Sequence, residues 1–189
     1  MNFNTKNYYK TLDKKIFQIL SRPETKEISF DILNTPKTEK YQKIVLSGQQ
    51  FKMKIGEIWQ ETLGNYNGYI NLKSGHESGL DILSHENKIA IELKNRNTTD
   101  NSSSKVTNLK KLAQFKKNNP DYTCIYATIN NNTEQGTYKP RYMIKMIQCD
   151  DVEIEHHNGY PFLKFILKDD TDDIITFLKE TIDKYVKIK

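Results

Sequence analysis

The sequence predicts an α/β (α+β) fold in which a central mixed β-sheet is flanked by helices. Apolar residues first recur with the helical period of about 3.6 and then, from Tyr69, with the strand period of two. Residues 122–129 form a near-continuous apolar and β-branched run, which is typical of a central strand buried on both faces. Helical and strand patterns alternate after that point, as in a layered domain.

Two helices are predicted before the sheet, over residues 7–20 and 51–63. Gly64 is a plausible C-terminal stop for the second, and Pro23 and Pro36 punctuate the less regular stretch between the two. The apolar face of the first helix is expected to hold Tyr9, Leu12, Ile16, Ile19 and Leu20.

The remaining elements follow from the same patterns. Strands are predicted over residues 69–73, 79–84, 88–94, 122–129, 142–148 and 162–167, and helices over residues 104–117 and 171–186. A chain of 189 residues fits one domain. We expect an N-terminal helical region at 1–50, a core at 51–130, and C-terminal strands and a helix at 131–189.

Composition excludes several classes of protein. No stretch approaches the roughly 18–20 apolar residues of a membrane helix, and the N-terminus is too polar for a signal peptide. Two cysteines cannot build a disulfide scaffold. We therefore expect a soluble, cytoplasmic protein without a membrane partner.

The charge is unevenly distributed. The formal net charge is +5, yet residues 88–117 alone hold eight basic and two acidic side chains. A basic stretch inside a mixed chain indicates a patch for a polyanion such as nucleic acid. On charge alone, a solvated lysine-rich surface without function is an equally good interpretation.

The most informative segment is a predicted hairpin that carries two carboxylates. Centring its turn between Glu86 and Asn87 places Asp81 directly across from Glu92. Opposed side chains have Cβ atoms about 4.5–5.5 Å apart, where like charges are destabilising. A cation between the two carboxylates would relieve that repulsion. Lys94 follows one step along the same strand face.

This chemistry suits phosphodiester hydrolysis. Hard oxygen ligands favour Mg²⁺, which is commonly held by one or two carboxylates together with waters and a substrate phosphate. Such an ion polarises a phosphoryl oxygen and lowers the pKa of bound water. The Lys94 ammonium can stabilise negative charge in the transition state or help to position the attacking water.

The pattern of Asp81, a hairpin, and then Glu92-x-Lys94 resembles the core of the PD-(D/E)XK nuclease superfamily. Leu80 stands where that family usually has proline. Residues 75–81 and 92–105 further resemble small type II restriction endonucleases, with a likeness to those that cut GGNCC-type sites.

The resemblance implies a restriction-endonuclease-like core and Mg²⁺-dependent cleavage of double-stranded DNA at a specific short sequence, with Mn²⁺ able to substitute. Asp81, Glu92 and the main-chain carbonyl of Leu93 would bind the metal, and Lys94 would serve the water or the transition state. Family members often add a glutamate from a preceding helix. Glu57 or Glu61 fits that place, and Glu57 is preferred. Because two-fold DNA sites favour dimers, we expect a homodimer.

Groups suited to DNA contact surround the hairpin. Those after it are Asn95, Arg96, Asn97, Asn101, Ser103, Ser104 and Lys105. The alternative is an ordinary surface loop without a function. The position of residues 95–105 directly after the hairpin favours DNA contact instead. Arg141 follows a second polar loop, where a guanine contact and a structural ion pair are equally good interpretations.

Two other functions remain possible from the sequence. One is a junction-resolving or repair nuclease built on the same core. The other, less favoured because the three-residue pattern is complete, is a DNA-binding protein without activity.

Overall fold

The computed structural model describes residues 3–23, 36–73, 75–96, 102–130 and 144–186, with the side chains of 36–46, 96 and 102 left out of that description. The helices are α1 (Thr5–Leu20), α2 (Pro36–Gly64), α3 (Ser102–Asn118), α4 (Gly159–Leu167) and α5 (Thr171–Tyr185). The strands are β1 (Ile70–Asn71), β2 (Ile82–Ser84), β3 (Ile89–Arg96), β4 (Thr123–Asn130), β5 (Lys145–Cys149) and β6 (Val152–Asn158).

The described strands form one six-stranded mixed sheet in the order β1-β2-β3-β4-β6-β5. Strand β2 pairs antiparallel with β1 and with β3. Strand β4 pairs parallel with β3 and with β6, and β5 pairs antiparallel with β6 at the edge of the sheet. Parallel neighbours need a crossover connection, which α3 supplies between β3 and β4. The predicted fold class is confirmed.

Helices cover both faces of the sheet. Ile89, Ile91 and Leu93 of β3 pack into the core that α1, α2, α4 and α5 share. On the other face, Ala90 packs with Leu109, Leu112 and Ala113 of α3. The two-residue alternation predicted for β3 is confirmed, and it assigns Glu92 to the α3 face.

Residues 162–167 were predicted as a strand, and that prediction is wrong. They lie in α4, where Phe162, Leu163, Ile166 and Leu167 are all buried, a spacing that places them on one helical face. The last parallel strand is instead β6, a more polar segment that was not predicted. Strand β6 lies inside the sheet, because β4 pairs with it on one side and β5 pairs with it on the other.

Helix α2 begins at Pro36, well before the predicted start at residue 51, and it is continuous through residue 50. Proline is favoured in the first turn of a helix, where its missing N–H costs nothing. Helix α1 is confirmed. Its inward tyrosine is Tyr8 rather than Tyr9, and the Tyr8 hydroxyl donates to the carbonyl oxygen of Thr62 at 2.9 Å.

In the described part of the chain, none of the helices combines the length and the apolarity that crossing a membrane requires.

Candidate active site

The β2–β3 hairpin has the predicted register. Its three residue pairs are symmetric about a turn centred between Glu86 and Asn87: they are Ile82 with Ile91, Leu83 with Ala90, and Ser84 with Ile89. Asp81 directly precedes β2, and continuing the register by one pair places it across from Glu92. Its N–H donates to the carbonyl oxygen of Ile91 at 3.1 Å, one residue away from that pair, so the chain bends at Asp81 rather than pairing regularly.

Asp81 is held by hydrogen bonds to both carboxylate oxygens. Its Oδ2 accepts from the Leu93 N–H at 2.7 Å, and its Oδ1 accepts from Gln60 Nε2 on α2 at 2.7 Å. Burial raises the pKa of the Asp81 carboxyl, while the Leu93 N–H and the Lys94 charge oppose that rise. The carboxylate is thus fixed in orientation by one main-chain donor and one side-chain donor.

Glu92 is only 3% exposed and lies on the α3 face of β3. Its Oε1 accepts from Lys94 Nζ at 2.7 Å. Its Oε2 is buried and has no hydrogen-bond partner among the described residues. Burial, and next the negative charge of Asp81, raise the pKa of the Glu92 carboxyl, and Lys94 opposes them.

These residues fit a divalent cation. An unpartnered buried carboxylate oxygen is costly unless a ligand satisfies it, and the proximity of two carboxylates is unfavourable without a positive charge. In the described residues no cluster of three or more His, Cys, Asp or Glu side chains is arranged to hold a metal. The available ligands are two carboxylates and main-chain oxygens, a set suited to a hydrated hard ion.

A cleft of about 740 Å³ opens beside the hairpin, between α2 and the end of β3, and Lys94 lines it together with Gln60 and Glu57. Glu57, the preferred helix glutamate, has both carboxylate oxygens bonded to the Arg22 guanidinium, at 2.6 and 2.7 Å. The α2 side chain that bonds to the Asp81–Glu92 pair is Gln60, one turn further along the helix.

Gln60 and Lys111 were not singled out from the sequence. Gln60 lies three residues after Glu57, so helical spacing alone places both on one face of α2. Lys111 lies on α3, within the basic stretch at residues 88–117. Its side chain reaches the chain just before Asp81, where its Nζ lies 3.5 Å from the carbonyl oxygen of Gly79. Its positive charge opposes the rise in the pKa of Asp81 and of Glu92.

The predicted DNA contacts are only partly within the described residues. Asn95 lines the cleft, and its Oδ1 accepts from Asn130 Nδ2 at 2.8 Å. Ser103 and Ser104 lie in the first turn of α3. The main chain of Arg96 ends β3, but its side chain lies outside the described residues, and so do Asn97, Asn101 and Arg141.

A row of side chains continues from Glu92 across the sheet. The register pairs Glu92 with Tyr126, Tyr126 with His156, and His156 with Lys145. Because paired residues share a face, all of them lie on the α3 side. Lys105 of α3 places its ammonium 5.6 Å from the centre of the Tyr126 ring. The surface beside the carboxylates is therefore basic.

A mixed sheet with helices on both faces, carrying Asp81 and Glu92 on adjacent strands with Lys94 beside them, is the arrangement of restriction-endonuclease-like nucleases. The family model described as Eco47II restriction endonuclease matches residues 37–187, and the chain belongs to this family. It is a type II site-specific deoxyribonuclease, and its substrate is DNA. No curated protein matches the chain.

Proposed function

We propose that this protein cleaves double-stranded DNA at a specific short sequence with Mg²⁺ as cofactor and Mn²⁺ as a substitute. The observation that carries the proposal is the cross-strand pair of Asp81 and Glu92, in which Glu92 Oε2 is buried without a hydrogen-bond partner in the described part of the chain. Asp81, Glu92 and the Leu93 carbonyl are the proposed metal ligands. Family membership supports nuclease activity, and the hairpin geometry supports these residues as its centre.

The bound ion supplies Lewis acidity, which polarises a phosphoryl oxygen and acidifies a bound water. The chain itself supplies orientation. The Leu93 N–H and Gln60 keep Asp81 in one position, so no carboxylate has to reorganise during the reaction. Lys94, held by Glu92 at 2.7 Å, places an ammonium where negative charge develops on the phosphoryl group.

Neighbouring strands are about 4.8 Å apart, so the strand count gives the distance from the carboxylates to each side chain of the row on the α3 side. His156 is two strands from Glu92 and Lys145 is three, so they lie about 10 and about 14 Å along this row, a distance of one or two phosphates along a DNA strand. Lys105 lies over Tyr126, one strand from Glu92. Lys105 is therefore a proposed phosphate contact. Proposed contacts near the cleft and beyond the described residues are Asn95, Arg96, Asn97, Asn101, Ser103, Ser104 and Arg141.

Specificity and assembly are further parts of the proposal. A GGNCC-type target would be read by polar side chains after β3 and by Arg141, because an arginine contacts guanine bidentately in the major groove. A homodimer would present two hairpins to the two strands of such a two-fold site. Sedimentation of the purified protein, with and without DNA, measures whether the protein is a dimer.

The central experiment incubates the purified protein with plasmid DNA and Mg²⁺ and then sequences the ends of the fragments. We expect discrete fragments with a common end sequence. Asp81→Ala, Glu92→Ala and Lys94→Ala should each abolish cleavage while retaining the far-ultraviolet circular dichroism of the parent. Asp121→Ala, which removes an exposed carboxylate paired with Lys88 at 3.2 Å, is the matched control and should cut normally.

Undiminished Mg²⁺-dependent cutting by the three alanine variants would refute the site. Selective cutting of branched DNA rather than plasmid would instead favour a junction-resolving or repair nuclease. Glu57→Gln tests the remaining candidate ligand. A loss of cleavage comparable to that of Asp81→Ala would include Glu57 in the site, and normal cleavage would limit Glu57 to its ion pair with Arg22.

A further inference from the structure

Lys111 extends from α3 over the chain that leads into β2. A Cβ atom on Gly79 would lie 3.2 Å from Lys111 Cδ and 3.3 Å from its Cε, so a side chain at position 79 would crowd the lysine. Gly79 also has φ of +64°, a conformation that favours glycine. The absence of a side chain at Gly79 thus leaves a path for Lys111 to reach the active-site edge of the hairpin.

The Lys111 ammonium is available to a ligand. It donates a long hydrogen bond, of 3.5 Å, to the carbonyl oxygen of Gly79. Among the described residues, no carboxylate lies within 4 Å of this ammonium. An ammonium has three donors. Because Gly79 lies two residues before Asp81, an ammonium 3.5 Å from the Gly79 carbonyl oxygen stands beside the end of the hairpin that carries the carboxylates.

The other lysines at this end of α3 are engaged elsewhere. Lys116 Nζ donates to the carbonyl oxygen of Pro120 at 2.9 Å, and Lys117 lies 4.0 Å from the carboxylates of Asp150 and Asp151. Lys111 therefore differs from its neighbours in the direction of its side chain.

The charge balance of the site explains why a second lysine matters. Asp81 and Glu92 contribute two negative charges, and Lys94 offsets one of them. With a divalent cation bound and without Lys111, these groups would carry a net charge of only +1. Lys111 raises that net charge to +2 and so strengthens the attraction for an approaching phosphodiester.

We propose that Lys111 is a second lysine of the active site. It binds the phosphate next to the scissile phosphate on the same DNA strand. This inference rests on the proposed function. It assigns Lys111 mainly to substrate binding, whereas Lys94, which is bonded to Glu92, serves the reacting phosphate.

The test compares Lys111→Met with Lys110→Met, which removes the same charge one residue away on the same helix. Initial rates of plasmid cleavage in Mg²⁺ are measured over a range of plasmid and salt concentrations. We expect Lys111→Met to raise KM about tenfold, as for loss of a charged hydrogen bond, and to reduce the slope of log(1/KM) against log[salt] by about 0.9. Lys111→Arg should restore most of the affinity, and Lys110→Met should remain within twofold of the parent.

The outcomes separate the two proposals. If the parent protein cleaves plasmid while Lys111→Met matches Lys110→Met in KM and salt slope, the assignment of Lys111 is refuted and the nuclease site stands. A fall in kcat without a change in KM would also refute phosphate binding by Lys111. If the parent protein does not cleave DNA in Mg²⁺ or Mn²⁺, the proposed function and this inference fail together.

Discussion

Glu92→Gln should stabilise the metal-free protein while abolishing cleavage. Glu92 Oε2 is buried without a partner among the described residues, and an unsatisfied buried group costs about 1–3 kcal/mol. A glutamine keeps the acceptor for Lys94 and can donate from its amide to Asp81, directly across the hairpin. Since 1 kcal/mol shifts Tm by about 2–4 °C in a chain of this size, we expect Tm in EDTA to rise by about 2–12 °C.

The same substitution should change the pH dependence of stability. Burial raises the pKa of Glu92 above its ordinary value of 4.5, so the folded state binds the proton more tightly than the unfolded state. That contribution to stability is complete below pH 4.5 and is lost as the pH rises through the folded pKa. The Tm advantage of Glu92→Gln should therefore widen as the pH rises from 4.5 and then level off.

Thermal unfolding by circular dichroism in EDTA and in Mg²⁺ measures both effects. Mg²⁺ should raise the Tm of the parent protein more than that of Glu92→Gln, because a ligand stabilises the state that binds it. Asp121→Asn makes the same chemical change at an exposed carboxylate and should alter Tm by no more than about 2 °C. A Tm for Glu92→Gln at or below that of the parent in EDTA at neutral pH would refute the reasoning.

Three further substitutions test other parts of the structure. Gln60→Leu removes the 2.7 Å bond to Asp81 and should slow single-turnover cleavage about tenfold with unchanged DNA affinity; an unchanged rate would contradict a positioning role. Gly64→Ala would place a Cβ 2.7 Å from the Asn71 Cα, so urea denaturation should show a loss of about 1–3 kcal/mol, and no loss would mean that β1 shifts freely. Lys105→Ala should weaken binding to all sequences equally; an altered cleavage pattern would show that Lys105 reads bases.

The hairpin could be predicted from the sequence because its information is local. The two-residue alternation of Ile89, Ile91 and Leu93 assigns the faces, and the turn fixes the register, so the opposition of Asp81 and Glu92 follows from the positions of these residues in the chain. The pairing of β3 with β4 was also accessible, because a helix between two apolar strands predicts a parallel crossover.

Other elements depend on contacts that the local pattern does not contain. The segment of α4 is apolar enough to suit a strand or a helix, and tertiary packing of Phe162 and Ile166 decides in favour of the helix. Strand β6 is too polar to be recognised because charged and polar side chains occupy both of its faces, with Glu153 and Glu155 on one and His156 on the other. Pro36 was interpreted as an interruption, although proline also opens helices.

The residues around the carboxylates were the least predictable. Gln60 bonds to Asp81 from α2, and Lys111 reaches Gly79, two residues before Asp81, from α3 on the opposite face of the sheet. Their proximity depends on how α2 and α3 dock, and on the missing side chain at Gly79. A sequence search for charged pairs finds the carboxylates and Lys94, but a neutral amide and one lysine among many carry no distinguishing signal.

The chain from Asp81 to Lys94 holds both carboxylates, the main-chain donor at Leu93 and the first lysine in one continuous hairpin. The proposed catalytic groups are therefore inherited together as one short segment. An insertion within the turn would have to preserve the pairing of the two strands, whereas an insertion elsewhere in the chain leaves the order and spacing of these groups unchanged.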